Sequence, residues 1–353
     1  MLRKILTSAI AVSGFTCSYA QDSVENKNKL SISGFADAYY RYDFSKQAGN
    51  NKTSFTNSHN SFELGMASVK LEHNIDKVGM VADIGFGRRA EEFSYNDEKS
   101  RFSIKQLYIT YSPVENIKLT AGSWATHVGY ELVDPIGNRN YSMSYMFSYG
   151  PFFHTGLKAE ATAGKHSFML GITNPTDFKS TTSSFKYIIG QYSTSIADGK
   201  WKSYLNYQGG NMSDTSNIHQ LDLVINGTIT DKFSVGYNGT VVRNRTHGKE
   251  IAAVSRKWWG SAVYVNVDPT AKFGLTLRSE YFNDDNSTTS VFSSAGRGGN
   301  VFANTLSANI KISALTFIPE IRHENASQAI YAKTDGSGRK NSTNFLLAAV
   351  YKF

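Results

Sequence analysis

Eight histidines, His59, His73, His127, His154, His166, His219, His247 and His323, are the first residues to test for chemistry in this chain. A helical metal site would set two of them four apart, and a zinc site would add further ligands at short spacing. Neither pattern occurs. His127 and Glu131 are four apart, but they stand in a segment that reads as a connection, where that spacing has no helical meaning. Hydrolysis by a Ser/His/Asp set would need those groups to converge at one rim. His247 and Asp284-Asp285 lie in connections on one side, which is compatible with such a set and no more than chance provides. Gly296-Arg297-Gly298-Gly299 lacks the strand-to-helix setting of a phosphate loop. The reading therefore names no catalytic, cofactor-binding or metal-binding residue, and expects no cofactor.

The charged residues suggest a different chemistry, that of a wetted wall. They recur at every second position of strand-like segments, opposite apolar and aromatic residues. In the first segment Leu30, Ile32, Gly34, Ala36, Ala38, Tyr40 and Tyr42 share one face, and Ser31, Ser33, Asp37, Tyr39 and Arg41 the other. The pattern returns at Met80, Ala82, Ile84 and Phe86 against Asp83 and Gly85, and at Phe273, Leu275, Leu277 and Tyr281 against Thr276, Arg278 and Glu280. Period two is the signature of a strand with two unlike faces. By parity the polar side carries Asp37, Arg41, Asp83, Arg89, Lys118, His154, Lys158, Glu160, Lys202, Asp222, Arg278, Glu280, Glu320 and Arg322. A Lys or Arg among them turned toward mid-bilayer lipid would cost about 2 to 4 kcal/mol. If the apolar face meets lipid, the polar face must enclose water.

These residues need many strands to position them. Sixteen are expected, at 29–44, 60–73, 78–89, 102–112, 117–125, 151–162, 166–174, 185–196, 200–209, 217–229, 232–243, 257–267, 272–282, 301–312, 315–324 and 343–353, with fourteen and eighteen as the neighbouring even counts. Short turns alternate with long connections near 45–59, 90–101, 126–150, 175–184, 210–216, 244–256, 283–300 and 325–342. The fold class expected is all-β: a transmembrane antiparallel β-barrel with short periplasmic turns and long extracellular loops. Two places strain the pattern. Phe62, Leu64 and Met66 fall on the opposite parity from Val69 and Leu71, which demands a bulge near Ala67. Pro319 sits inside a strand that closure would pair on both sides.

Composition agrees. Twenty Tyr and 22 Phe accompany 29 Gly, and mean hydropathy is −0.35. Tyr40, Tyr42, Phe86, Tyr111, Trp201, Tyr207, Phe233, Tyr237, Trp259, Tyr281 and Phe353 lie near strand ends, as interfacial girdles would place them. A secreted, water-soluble sandwich with the same alternation would have no need of that placement. Outside the first twenty residues no apolar run approaches the 18 or so that a membrane-spanning helix requires. The net charge of +8 is spread out, with no Lys/Arg cluster of a nucleic-acid surface.

The ends are informative. Arg3 and Lys4, an apolar stretch from Ile5 to about Phe15, and Ser18-Tyr19-Ala20 read as an export signal cleaved after Ala20. A lipoprotein signal on Cys17 is the alternative, with Phe15-Thr16 a poor context for it. Cys17 is the single cysteine, so cleavage leaves no thiol for a disulfide or metal site. The expected organisation is a signal peptide over 1–20, a short periplasmic segment over 21–28, and a barrel over 29–353. At the other end Phe345, Leu347, Ala349, Tyr351 and Phe353 form one apolar, aromatic face. A terminal aromatic strand resembles the signal read by the barrel-assembly machinery of bacterial outer membranes, with Ala348 where that signal usually has glycine.

The middle of the chain carries a family resemblance. Lys118-Leu119-Thr120-Ala121-Gly122 leads to Gly129-Tyr130-Glu131, then Asn138-Arg139-Asn140-Tyr141-Ser142, Pro151-Phe152-Phe153-His154-Thr155-Gly156 and Ile172-Thr173-Asn174-Pro175. This resembles the OmpL-like β-barrel porin family of Gram-negative bacteria, best populated in the Bacteroidota. The resemblance implies an outer-membrane channel surrounded by lipid, through which small hydrophilic solutes and ions pass, with trimerisation by analogy to sixteen-stranded porins. A substrate-selective channel, a barrel phospholipase or protease, and an adhesin are the other readings carried. In porin architecture the loop after the fifth strand folds inward. Here that connection holds Tyr130, Glu131, Asp134 and Arg139, and two readings stand equal: Glu131 and Asp134 face basic wall residues across a constriction, setting up a transverse field, or the loop caps the outside and its charges are solvated.

Overall fold

A computed structural model of the chain describes residues 29–97, 102–246 and 253–353. The expected signal, the segment 21–28 and His247 lie outside the described residues. The strands are β1 (Ser31–Asp43), β2 (Ser61–Ile75), β3 (Val78–Phe86), β4 (Phe102–Val114), β5 (Ile117–Ala125), β6 (Phe153–Ala163), β7 (His166–Thr173), β8 (Tyr187–Ile196), β9 (Trp201–Ser213), β10 (Ser216–Thr230), β11 (Phe233–Thr246), β12 (Val254–Thr270), β13 (Phe273–Asp284), β14 (Gly299–Ile312), β15 (Leu315–Ala326) and β16 (Asn341–Lys352). Each pairs antiparallel with its neighbour in sequence, and β16 returns to β1, so the sixteen form a closed barrel with no free edge. No helix among the described residues is long and apolar enough to cross a membrane.

Closure is set by a fixed register, Tyr39 opposite Ala348. Beyond the last ladder pair, Gly34 and Phe353 exchange backbone hydrogen bonds of 3.1 and 3.0 Å. A Cβ on Gly34 would lie 2.3 Å from the Ser68 carbonyl oxygen of β2 and 2.5 Å from the Phe353 ring, so this position needs glycine. The outward faces follow the expected alternation, with Phe62 88% and Leu64 79% exposed. Such a surface is stable only against lipid.

The strained places resolve in detail. Ala36 pairs with Ala67 but Ala38 with Leu64, so β2 carries its extra residue at Gly65-Met66. Met66 is thereby turned inward and buried, not outward with Phe62 and Leu64 as parity suggested. Pro319 pairs with Leu347 on one side. On its other side the ladder runs from Ser307–Glu320 directly to Ile310–Phe317 in unchanged register, leaving a gap at the residue that lacks an N–H.

Two expectations are corrected. The connection expected over 210–216 is a two-residue turn, because Gly210 and Asn211 continue to pair with Ile218 and Asn217. The third strand ends at Phe86 and does not reach residue 89. Gly87, at φ +114°, breaks it and leads into a short helix, α1 (Arg88–Phe93). A Cβ at Gly87 would meet the Gly65 carbonyl oxygen at 2.7 Å. Arg89 therefore projects from a helix and not from the wall.

Candidate functional site: the loop inside the barrel

The connection between β5 and β6 does not cap the barrel. It enters the lumen, and its consecutive residues touch different wall strands. Arg139 pairs with Asp268 of β12 at 2.5 Å and donates to Thr276 Oγ1 of β13 at 2.7 Å. The Asn140 amide donates to Ser307 of β14 at 2.7 Å. The Tyr141 hydroxyl donates to Asp37 of β1, while its N–H donates to Glu320 of β15 at 2.9 Å. The Ser142 carbonyl accepts from Arg278 of β13 at 2.7 Å, and the Met143 carbonyl from Arg322 of β15 at 2.6 Å.

Local chemistry shapes the loop before the wall holds it. Asn138 braces the turn by accepting from Leu132 N–H at 2.9 Å and donating to the Leu132 carbonyl at 2.6 Å. Ser144 caps a single helical turn, α2 (Tyr145–Ser148), by accepting from Phe147 N–H. The N–H groups of Tyr145 and Met146 point at the Glu280 carboxylate, at 2.9 and 3.0 Å. These donors would otherwise be orphans of the helix start.

The predicted loop residues and most of the predicted wall residues meet one another; His154 is buried, its Nε2 3.3 Å from Thr126 Oγ1. Glu131 forms a buried ion pair with Arg278 at 2.5 Å and accepts from Ser144 N–H at 2.7 Å. Asp134 reaches Lys105 at 2.7 Å. Both acids thus touch their basic partners, with no open gap between them. Tyr130 stacks on Tyr264, ring centroids 3.9 Å apart. Asp83 accepts from Ser68 and Lys105. Arg41 donates to the Ser58 carbonyl at 2.6 Å and so ties the wall to the first long connection. Arg89 donates to the Val133 carbonyl at 2.9 Å and lies over the rings of Phe55 and Tyr141. Asp222 receives Gly129 N–H at 3.0 Å.

Lys118 and Lys158 both approach Glu160, at 3.1 and 3.5 Å. With Lys70 and Glu72, Lys118 and Glu160 stand apart from the loop and keep contact with solvent. The expected wet interior is interrupted elsewhere by apolar sectors. Leu346, Ala348, Val350 and Ile318 form a dry sector covered by Tyr141, and Trp258, Tyr264 and Phe282 another covered by Tyr145 and Met146.

Parity reading missed Lys105. At this position Asp83 pairs with Gln106 but Ile84 with Ile104, a bulge that turns Lys105 and Gln106 inward together. The available signal was Ile104 and Leu107, both outward though three apart. Asp177, Asp268 and Glu324 were also missed. Asp177 accepts from Phe152 N–H, Phe153 N–H and the Tyr95 hydroxyl, joining three connections. Burial pushes its carboxyl up to about 6, against the pull of those hydrogen bonds. Burial also draws the His127 imidazole down to about 4, although it is hydrogen-bonded to the Tyr207 carbonyl at 3.1 Å, so the ring is neutral at pH 7. The Tyr141 phenol is held well above its usual range, first by burial, and stays protonated as a donor.

The closed barrel aligns with solved structures of known channels. The outer membrane channel DcaP of Acinetobacter baumannii aligns with a TM-score of 0.63 at 12% identity, covering 92% of this chain and 97% of that one. The anion-selective porin from Comamonas acidovorans aligns at 0.62 and 11% identity, covering 92% of this chain and 100% of the other. Outer-membrane expressed OmpT of Vibrio cholerae gives 0.60 and 11%, over 94% and 100%. At these identities the likeness shows the fold. No curated protein matches by sequence. The family model described as beta-barrel porin-2, OmpL-like, matches residues 29–353. The chain belongs to this OmpL-like family of outer-membrane β-barrel porins.

Proposed function

We propose that the protein lets small hydrophilic solutes and ions diffuse passively across the outer membrane, with the loop between β5 and β6 setting the narrowest section. The observation that carries this reading is that loop, threaded through a sixteen-stranded barrel and held to β1, β12, β13, β14 and β15 by hydrogen bonds and ion pairs. Sixteen strands enclose an aqueous interior, whereas eight leave room only for side chains. Polar groups of the loop replace the water that the charged wall would otherwise hold, so the loop narrows the passage without stranding a charge.

The path we assign runs beside the solvent-touching pairs Lys70–Glu72 and Lys118–Glu160. Because these cations and carboxylates pair with one another, weak ion selectivity is expected. Export through a signal cleaved after Ala20, insertion read from the Phe353 strand by the assembly machinery, and a Bacteroidota-type lineage are proposed on the sequence motifs. Homotrimerisation is proposed by analogy with OmpT of Vibrio cholerae, solved in a trimer form. The test is single-channel recording of the purified protein in a planar lipid bilayer under a salt gradient. Stepwise openings with a small reversal potential are expected. Silence from folded protein would refute the reading.

A further inference from the structure

On the outer surface of β11 and β12, at the end nearest the long connections, the apolar run gives way to cations. The register sets Val241 opposite Trp259, Arg243 opposite Lys257 and Arg245 opposite Ser255. These positions face outward, since the alternating Val242 and Trp258 are buried inside. Arg243 and Lys257 are thus direct cross-strand neighbours of the same sign, and like charges so placed repel. Among the described residues no carboxylate pairs with either. Arg243 Nε donates to Ser255 Oγ at 2.8 Å, and the Lys257 backbone N–H donates to Asn286 Oδ1 at 3.1 Å. Between them opens a depression of about 430 Å³ lined by Val241, Arg243, Ser255, Lys257 and Asn286.

Height decides what surrounds this depression. The outward residues of β12 from Val267 up to Trp259 cover roughly 27 Å of strand, or about 20 Å of height at a tilt near 40°. The apolar band of such barrels is about 25 Å tall. Lys257 and Arg243, one outward step beyond Trp259 and Val241, therefore stand at its upper edge, where lipid headgroups begin.

We propose that this is a binding site for the phosphate groups of the outer-leaflet lipid, a phosphorylated glycolipid of the lipid A class. One phosphate bridges Arg243 and Lys257, which removes their mutual repulsion, and the acyl chains lie along Val241, Trp259 and Val263. Arginine offers a fork to the phosphate oxygens and lysine a point charge. The inference rests on the outer-membrane channel reading proposed above and on the expected extracellular side of the long connections.

The test is native mass spectrometry of the full barrel released from detergent, after incubation with bisphosphorylated lipid A, with dephosphorylated lipid A, or with inorganic phosphate. The wild type should retain bisphosphorylated lipid A in preference to the dephosphorylated form. The double variant Arg243→Gln, Lys257→Gln should retain about tenfold less or lower. Lys257→Gln alone, which keeps the backbone hydrogen bond to Asn286, should show part of that loss, and Lys311→Gln at the opposite rim none. Heat-dependent electrophoretic mobility establishes that each variant is folded. Equal retention by wild type and double variant, equal retention of the dephosphorylated lipid, or displacement of the lipid by millimolar phosphate would each overturn the proposal. Conductance of the same samples reports separately on the channel reading, and the double variant should leave it unchanged.

Discussion

Deleting residues 132–142 and joining Glu131 to Met143 would remove the tip of the inward loop while leaving both of its legs anchored. The join is short. Arg278 Nη1 bonds Glu131 at 2.5 Å and the Ser142 carbonyl at 2.7 Å, and Ser144 N–H reaches Glu131 at 2.7 Å. Glu280 keeps its hold on Tyr145 and Met146. The sixteen strands, about 4.8 Å apart and tilted near 40°, give a circumference of roughly 100 Å and a radius of about 16 Å. Inward side chains about 6 Å deep would leave roughly 300 Å² of clear section. The deleted tip crosses this section twice, and two passes of chain, each about 10 Å across with side chains, fill about 160 Å² of it. Removing the tip should therefore raise single-channel conductance about twofold. Asp37, Lys105, Arg89, Glu320 and Asp268 lose loop partners but gain water, so they are not stranded as buried charges. The assay is planar-bilayer recording of variant and wild type at one salt concentration, with electrophoretic mobility to show folding. A folded deletion variant with wild-type conductance would refute the argument that this loop limits the pore.

Glu131→Gln leaves Arg278, 1% exposed, without its counter-charge. Denaturant unfolding should show a loss of about 3 to 5 kcal/mol, most of it recovered in Glu131→Gln, Arg278→Met. Asp177 has a raised carboxyl near 6 in the folded protein, so the folded state holds the proton more tightly than the unfolded chain, whose aspartate titrates near 4. Its stabilising contribution is full below about pH 4 and lost as pH rises through about 6. Proteolysis of the 174–186 connection, corrected with an unstructured peptide, should be slower at pH 5 than at pH 7.5, and Asp177→Asn should flatten the difference. Gly122 has φ +131°, and a Cβ there would lie 2.2 Å from the Leu107 carbonyl oxygen; Gly122→Ala should lower the unfolding midpoint by an amount worth about 1 to 3 kcal/mol. Deleting Phe353 removes its backbone pair with Gly34. If the terminal strand is an assembly signal, folded yield in cells should fall further than refolding yield in detergent, and equal losses would count against that role.

What the sequence determined by itself was the wall. Period-two alternation is a local property, since each residue's neighbours two positions away share its face whatever the rest of the chain does. The strands, their closure in even number, the bulge beside Ala67 and the outward face of the last strand were all legible for that reason. Parity failed where local geometry broke the period, at Met66 and Lys105, or where a glycine at positive φ ended a strand early, at Gly87. The interior was decided by tertiary structure. Asn138 to Ser142 read as a polar stretch suited equally to an outer cap and to an inward arm. The difference lies in Asp268, Ser307, Asp37, Glu320 and Arg278, which meet the loop across separations of more than a hundred residues. No short segment encodes such contacts. They arise only when the barrel closes and brings five distant strands within hydrogen-bond reach of one connection.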